Sequence, residues 1–201
     1  MLGGMVVPAD QTVVYTPEQR AQMRAIKKVR RAATMAAISG WSTAVIGGLA
    51  LPFGLVSWVS LVLGSALVAL GVNELLARGQ LLKLIAGATK RLALNQIVLG
   101  ATIIVYAAFM VYTGLTGQSE MQKAVASEPA LADMSADIIA LEKILTTAIY
   151  GTLIIGTIVF QGMNAWYYAS RRKWVNECLR LGVSPDPYAA ITAQHSHNVA
   201  A

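Results

Sequence analysis

The stretch GGLALPFGLVSW, Gly47 to Trp58, lies inside a run of 42 residues without a charged side chain, from Ala32 to Asn73. As one helix that run would be about 63 Å long at 1.5 Å per residue. The hydrocarbon core of a bilayer is only about 30 Å thick, and no tilt hides the difference. Pro52 removes a backbone donor and disfavours helix at Leu51, and Gly54 permits a turn. The stretch therefore reads as the turn of a hairpin, with spans over about 34–51 and 55–76.

Two further charge-free runs, Leu92–Ser119 and Ile144–Ser170, are each long enough for one span. They give spans over about 92–114 and 144–168. The chain is 56% hydrophobic and 13% charged, against roughly 25% charged in soluble domains. Helices apolar all round for this length have no place in a small soluble core. The expected fold is all-α: one polytopic membrane domain over 16–182, a four-helix bundle with both termini in the cytoplasm.

The charges test the hairpin independently. With four spans, one side receives fourteen of the sixteen basic residues: Arg20, Arg24, Lys27, Lys28, Arg30 and Arg31, then Arg78, Lys83, Lys90 and Arg91, then Arg171, Arg172, Lys173 and Arg180. Only Lys123 and Lys143 fall on the other side. With three spans the basic residues divide evenly. The positive-inside rule favours four. A re-entrant loop at Pro52 would keep the same sides. The setting that fits is a bacterial inner membrane.

Residues 1–15 show no helical period. TPEQ, Thr16–Gln19, is a capping box with Pro17 at the first helical position, so a basic helix should start there and run to about Arg31. No cleavable signal is expected, because some thirty residues precede the first apolar run. RGQLLKLIAGATKR, Arg78–Arg91, puts Leu81, Leu84, Ile85 and Ala88 on one face and reads as a short helix on the inner surface. The loop 118–143 carries five acids and faces outward. Ser127 and Pro129 suit a helix start. Leu131, Met134, Ile138, Leu141 and Leu145 then carry its apolar face into span four. Trp174, Cys178 and Leu181 continue that helix over 169–182, Gly182 and Pro185 end it, and 183–201 looks disordered.

Membrane helices pack where small residues let backbones approach. Ala36, Gly40, Ala44 and Gly48 recur every four residues in span one, and Ser57, Ser60, Gly64 and Gly71 share a face of span two. The stripes fit each other within the hairpin, or one of them could pair chains. Polar residues near span ends form a candidate cytoplasm-facing cluster: Asn73, Glu74, Arg91, Asn95, Gln96, Gln161 and Asn164. It reads either as interhelical glue, with Glu74 paired to Arg91 or Lys90, or as a site for a lipid head group or small ligand. Asn95, Thr102, Tyr106 and Thr113 on span three, and Thr157, Gln161, Asn164 and Tyr168 on span four, could form a polar seam. Trp166, Tyr167 and Tyr168 suit an aromatic belt. Lys83, Lys90, Arg171, Arg172 and Lys173 suit anionic head groups.

Glu74 is expected at the end of span two, which leaves no ionisable group near the middle of any span. Ion-coupled transport usually needs one. No phosphate-cradling or dinucleotide-binding glycine motif is present, no cofactor is implied, and the net charge of +6 reads as topology rather than nucleic-acid binding. Cys178 is the one cysteine, and His195 and His197 are the two histidines, which sets no metal centre. The expected role is an accessory or structural subunit, in a homo-oligomer or a larger membrane complex. The alternatives are a channel or transporter for an uncharged or lipidic substrate, and a lipid-modifying enzyme using Glu74.

Overall fold

A computed structural model describes residues 15–117 and 135–187 of the chain. Every regular element among them is helical: α1 Pro17–Ala50, a 3₁₀ turn Leu51–Leu55, α2 Trp58–Leu82, α3 Ala88–Thr116, α4 Ser135–Ser170 and α5 Arg172–Arg180. Four of the helices are long and apolar enough to cross a membrane. The acidic loop as far as 134, with Ser127 and Pro129, lies outside the described residues, as do 1–14, His195 and His197.

Local chemistry sets the boundaries. Thr16 and Gln19 form the reciprocal capping box that starts α1. At Pro52 the helix tightens to a 3₁₀ turn, since the ring cannot donate and clashes with the preceding turn. The chain then reverses through Val56 and Ser57 into α2. This turn is apolar and open, with Leu55 and Val56 each 93% exposed. At the other end of the hairpin, α5 closes on Gly182 at φ +64°. The amide of Val183 donates to the Cys178 carbonyl at 3.0 Å, and that of Gly182 to the Leu179 carbonyl at 3.2 Å, the two bonds of a Schellman motif.

Two sequence expectations change here. No separate surface helix lies between spans two and three. Instead α2 continues through Leu81 and Leu82, and a tight turn leads directly into α3. Leu84 (φ +54°) and Gly87 (φ +86°) occupy left-handed positions in that turn. Leu81 and Ala88 are buried against the bundle rather than laid on a surface. The second change concerns α4 and its continuation, which are two helices broken at Arg171 rather than one.

The turn gives a test of its backbone. Gly79 is helical with open space where a Cβ would go, so Gly79→Ala should raise stability by roughly 0.5–1 kcal/mol. Gly87 needs its positive φ, so Gly87→Ala should lower stability by about 1 kcal/mol. Chemical denaturation in detergent micelles reads both shifts.

The first hairpin, α1 with α2, is packed through glycine. A Cβ on Gly71 would lie 2.6 Å from the Ala44 amide nitrogen and 2.6 Å from the Gly40 carbonyl. A Cβ on Gly47 would lie 2.7 Å from the Val68 nitrogen and 2.8 Å from the Gly64 carbonyl. Gly48 meets nothing within 4 Å, so Gly47 holds the place the four-residue spacing assigns to Gly48. The reason is geometric. Each four-residue step rotates about 40° around a 3.6-residue helix, so a strict stripe walks off the contact. Gly40 to Gly47 and Gly64 to Gly71 are seven-residue steps, which drift only about 20°. Ala36 is buried nearer the basic end, while Ser57 and Ser60 are half-buried at the start of α2.

The second hairpin, α3 with α4, packs at Gly100 against Gln161 and at Gly114 against Thr146. The Tyr106 and Tyr150 rings meet edge to face, 6.2 Å apart. The hairpins join where the basic residues gather. There Val29, Ala32 and Ala33 of α1, Leu81 of α2, Leu92 of α3, Tyr168 of α4 and Val175 and Cys178 of α5 form one core. Arg30 ties the chain beyond α5 to α1 by donating from Nε to the Pro185 carbonyl at 2.7 Å. Toward the opposite end an open apolar groove of about 570 Å³ lies between α2 and α3.

Candidate functional site

The polar cluster sits at the junction of the hairpins. Two dipeptides face each other: Asn73-Glu74 on α2 and Asn95-Gln96 on α3. Consecutive residues on a helix point about 100° apart, so the dipeptides serve two separate networks.

The first network surrounds Glu74, which is completely buried. Ser39 Oγ of α1 donates to Oε2 at 3.1 Å. Gln96 Nε2 of α3 donates to Oε1 at 2.7 Å, and Tyr168 Oη of α4 donates to Oε1 at 3.2 Å. One carboxyl therefore gathers a donor from each of the other three long helices. Sequence reasoning places Glu74 at the end of span two, beside Arg91 or Lys90. The structure places it well inside α2, and among the described residues no cation pairs with it. Arg91 turns to Asn73, and Lys90 is exposed. Glu74 thus lies within the candidate span Trp58–Leu82. Tyr168 is corrected too: at 3% exposure it is part of this cage rather than an interfacial anchor.

The second network runs from Arg91 to α2. Asn73 Oδ1 accepts from Arg91 Nε at 3.0 Å and also from Nη2. Asn73 Nδ2 donates to Asn95 Oδ1 at 2.7 Å, and Asn95 Nδ2 donates to the Leu70 carbonyl at 3.2 Å. Asn95 is nearly sealed, at 3% exposure. The chain of bonds fixes the Arg91 guanidinium against α2.

Of the predicted cluster, Asn73, Glu74, Arg91, Asn95 and Gln96 come together. Gln161 lies apart, packed against Gly100 with its Oε1 buried and unpartnered. Asn164 is half-buried and joins neither network. The Thr102 and Thr113 hydroxyls bond back to carbonyls of their own helix. Lys83, Lys90, Arg172 and Lys173 are exposed, and the Arg171 guanidinium stacks over Tyr167 at 4.1 Å. Ser39 is the member that sequence reasoning misses, because one serine in an apolar helix resembles any other.

Chemically, both oxygens of Glu74 accept hydrogen bonds in a site closed to solvent. Among the described residues no group of three acidic, cysteine or histidine side chains could hold a metal ion. With no exposed surface, Glu74 is placed to hold helices together rather than to meet a substrate at the membrane surface. Compared with known protein families, characterised proteins and solved structures, the chain matches none of them.

Proposed function

We propose that this multi-pass membrane protein is an assembly component, a structural or accessory subunit that packs in a homo-oligomer or a larger membrane complex. The observation that carries the reading is the exposure of α4. Across its most apolar 18 residues none is buried, although α1, α2 and α3 each cover part of theirs. α4 leans on α3 along one face, and Gly151, Gly156 and Gly162 meet nothing within 4 Å. Small residues left open on a membrane helix allow a second backbone to approach. The Glu74 cage supports the same reading, because it stiffens one end of the molecule and leaves the other free to accept a neighbour.

The charge distribution supports an orientation with both termini in the cytoplasm, and with the basic end against anionic lipid of a bacterial inner membrane. A second reading, handling of a lipidic substrate, draws on the open groove between α2 and α3.

Purification of the full chain in mild detergent, with mass and co-purifying proteins measured together, tests the proposal. A defined oligomer or a stoichiometric partner is expected. Gly156→Leu should reduce it severalfold while the helical signal stays unchanged. A monomer at all concentrations with no partner would contradict the reading.

A further inference from the structure

The polar foot and the apolar groove lie on the same faces of the same two helices. On α2 the groove is walled by Val59, Val62 and Ala66, and on α3 by Val98, Ala101 and Val105. Asn73 follows Ala66 by seven residues, and Arg91 precedes Val98 by seven. A seven-residue step turns only about 20° and rises about 10 Å. Arg91 and Asn73 therefore stand in line below the groove. Together they form one amphipathic track, cationic at its foot and apolar above.

We propose that this track binds an anionic phospholipid, its phosphate on Arg91 and an acyl chain in the lower half of the groove. Charge selects the ligand. Arg91 spends two of its five N–H donors on Asn73, and among the described residues no carboxylate pairs with it. Asn95 and the Leu70 carbonyl hold Asn73 in place, so the guanidinium is oriented in advance. A fixed guanidinium with free donors suits a phosphate oxygen pair. Lys90 adds an exposed positive charge beside it.

Size and shape agree. One leaflet contributes about 15 Å of hydrocarbon. An acyl chain whose head group sits at Arg91 therefore ends alongside Ala101, inside the groove. The groove wall also lacks the glycines through which α1 meets α2. A branched, glycine-free wall suits a pliable chain better than a second helix, which needs small residues to come close. The site does not depend on the assembly proposal, since all its residues belong to one chain.

Native mass spectrometry of the full chain tests it, with equal amounts of phosphatidylglycerol and phosphatidylcholine of identical acyl chains. The wild type should retain one phosphatidylglycerol in preference by about tenfold, which is roughly 1.4 kcal/mol. Arg91→Gln should bring that preference close to unity, and Arg91→Lys should keep part of it. Ala101→Trp, which fills the groove, should lose both lipids, while Lys173→Gln should behave as wild type. Should Arg91→Gln fail to fold, the Lys and Trp variants decide the matter. Equal retention of the two lipids by the wild type would overturn the proposal. So would an unchanged preference in Arg91→Gln, or displacement of the phospholipid by inorganic phosphate alone.

Discussion

Gly71→Ala and Gly47→Ala should each destabilise the protein by roughly 1–3 kcal/mol, the usual cost of forcing a methyl group into packed structure. The added carbon would sit under 3 Å from backbone atoms of the facing helix, at Ala44 and Gly40 in one case and at Val68 and Gly64 in the other. Backbone cannot rotate out of the way, so the helices must separate. Gly71→Leu should break the first hairpin outright. Gly48→Ala is the matched control: it changes a neighbouring glycine in the same helix but points into open space. Its stability should equal or exceed that of the wild type. Denaturant titration in micelles, followed by circular dichroism, separates the three. A Gly48→Ala loss as large as that of Gly47→Ala would place the contact on the wrong face.

The second large effect is expected at Glu74. Glu74→Ala removes the acceptor shared by Ser39, Gln96 and Tyr168 and leaves the Gln96 and Tyr168 donors buried without it. Each buried donor left unpaired costs about 1–3 kcal/mol. The softer measured average for membrane hydrogen bonds, about 0.6 kcal/mol, lowers that figure. A loss of roughly 3 kcal/mol follows for the whole cage. Glu74→Gln keeps the shape and one acceptor oxygen, so its loss should be smaller. Ser39→Ala and Tyr168→Phe should each cost about 1 kcal/mol. The damage should also be local. Hydrogen exchange should quicken at the junction of α2 with α3 and α4, while the glycine-packed face of α1 and α2 stays protected. If Glu74→Ala left exchange at the junction unchanged, the cage would have no part in joining the hairpins.

Several parts of this arrangement are written in short local signals. Pro52 inside a charge-free run gives the hairpin turn, and the Thr16–Gln19 box gives the start of α1. Gly182 gives the end of α5. These succeed because each depends on a residue's own backbone chemistry. The glycine stripe is legible to within one residue. The spacing rule selects Gly48 where the rotation of a real helix brings Gly47 into contact. Glu74 was harder. A carboxyl at the edge of an apolar run looks like the end of a span, yet Leu75, Ala77 and Leu81 carry α2 onward past it, and Glu74 is buried. Ser39 and Tyr168 reach Glu74 from 35 and 94 residues away, and no local pattern links them. The groove between α2 and α3 is equally invisible, since it is a property of how two hairpins meet.

The two hairpins share one core at the basic end and leave an open groove between α2 and α3 toward the other. Paired spin labels in lipid nanodiscs test it most directly, on a background with Cys178 replaced by serine. One pair spans α2 and α3 at the groove mouth, at Val62 and Val105, and the other spans the basic end, at Leu76 and Leu94. These four side chains are exposed, so labels there leave the cage and the glycine contacts intact. The separation at the groove mouth should be clearly longer than that at the basic end. Close-packed helices lie about 8–10 Å apart axis to axis. Equal, short separations at both ends would mean a closed four-helix bundle and would contradict it.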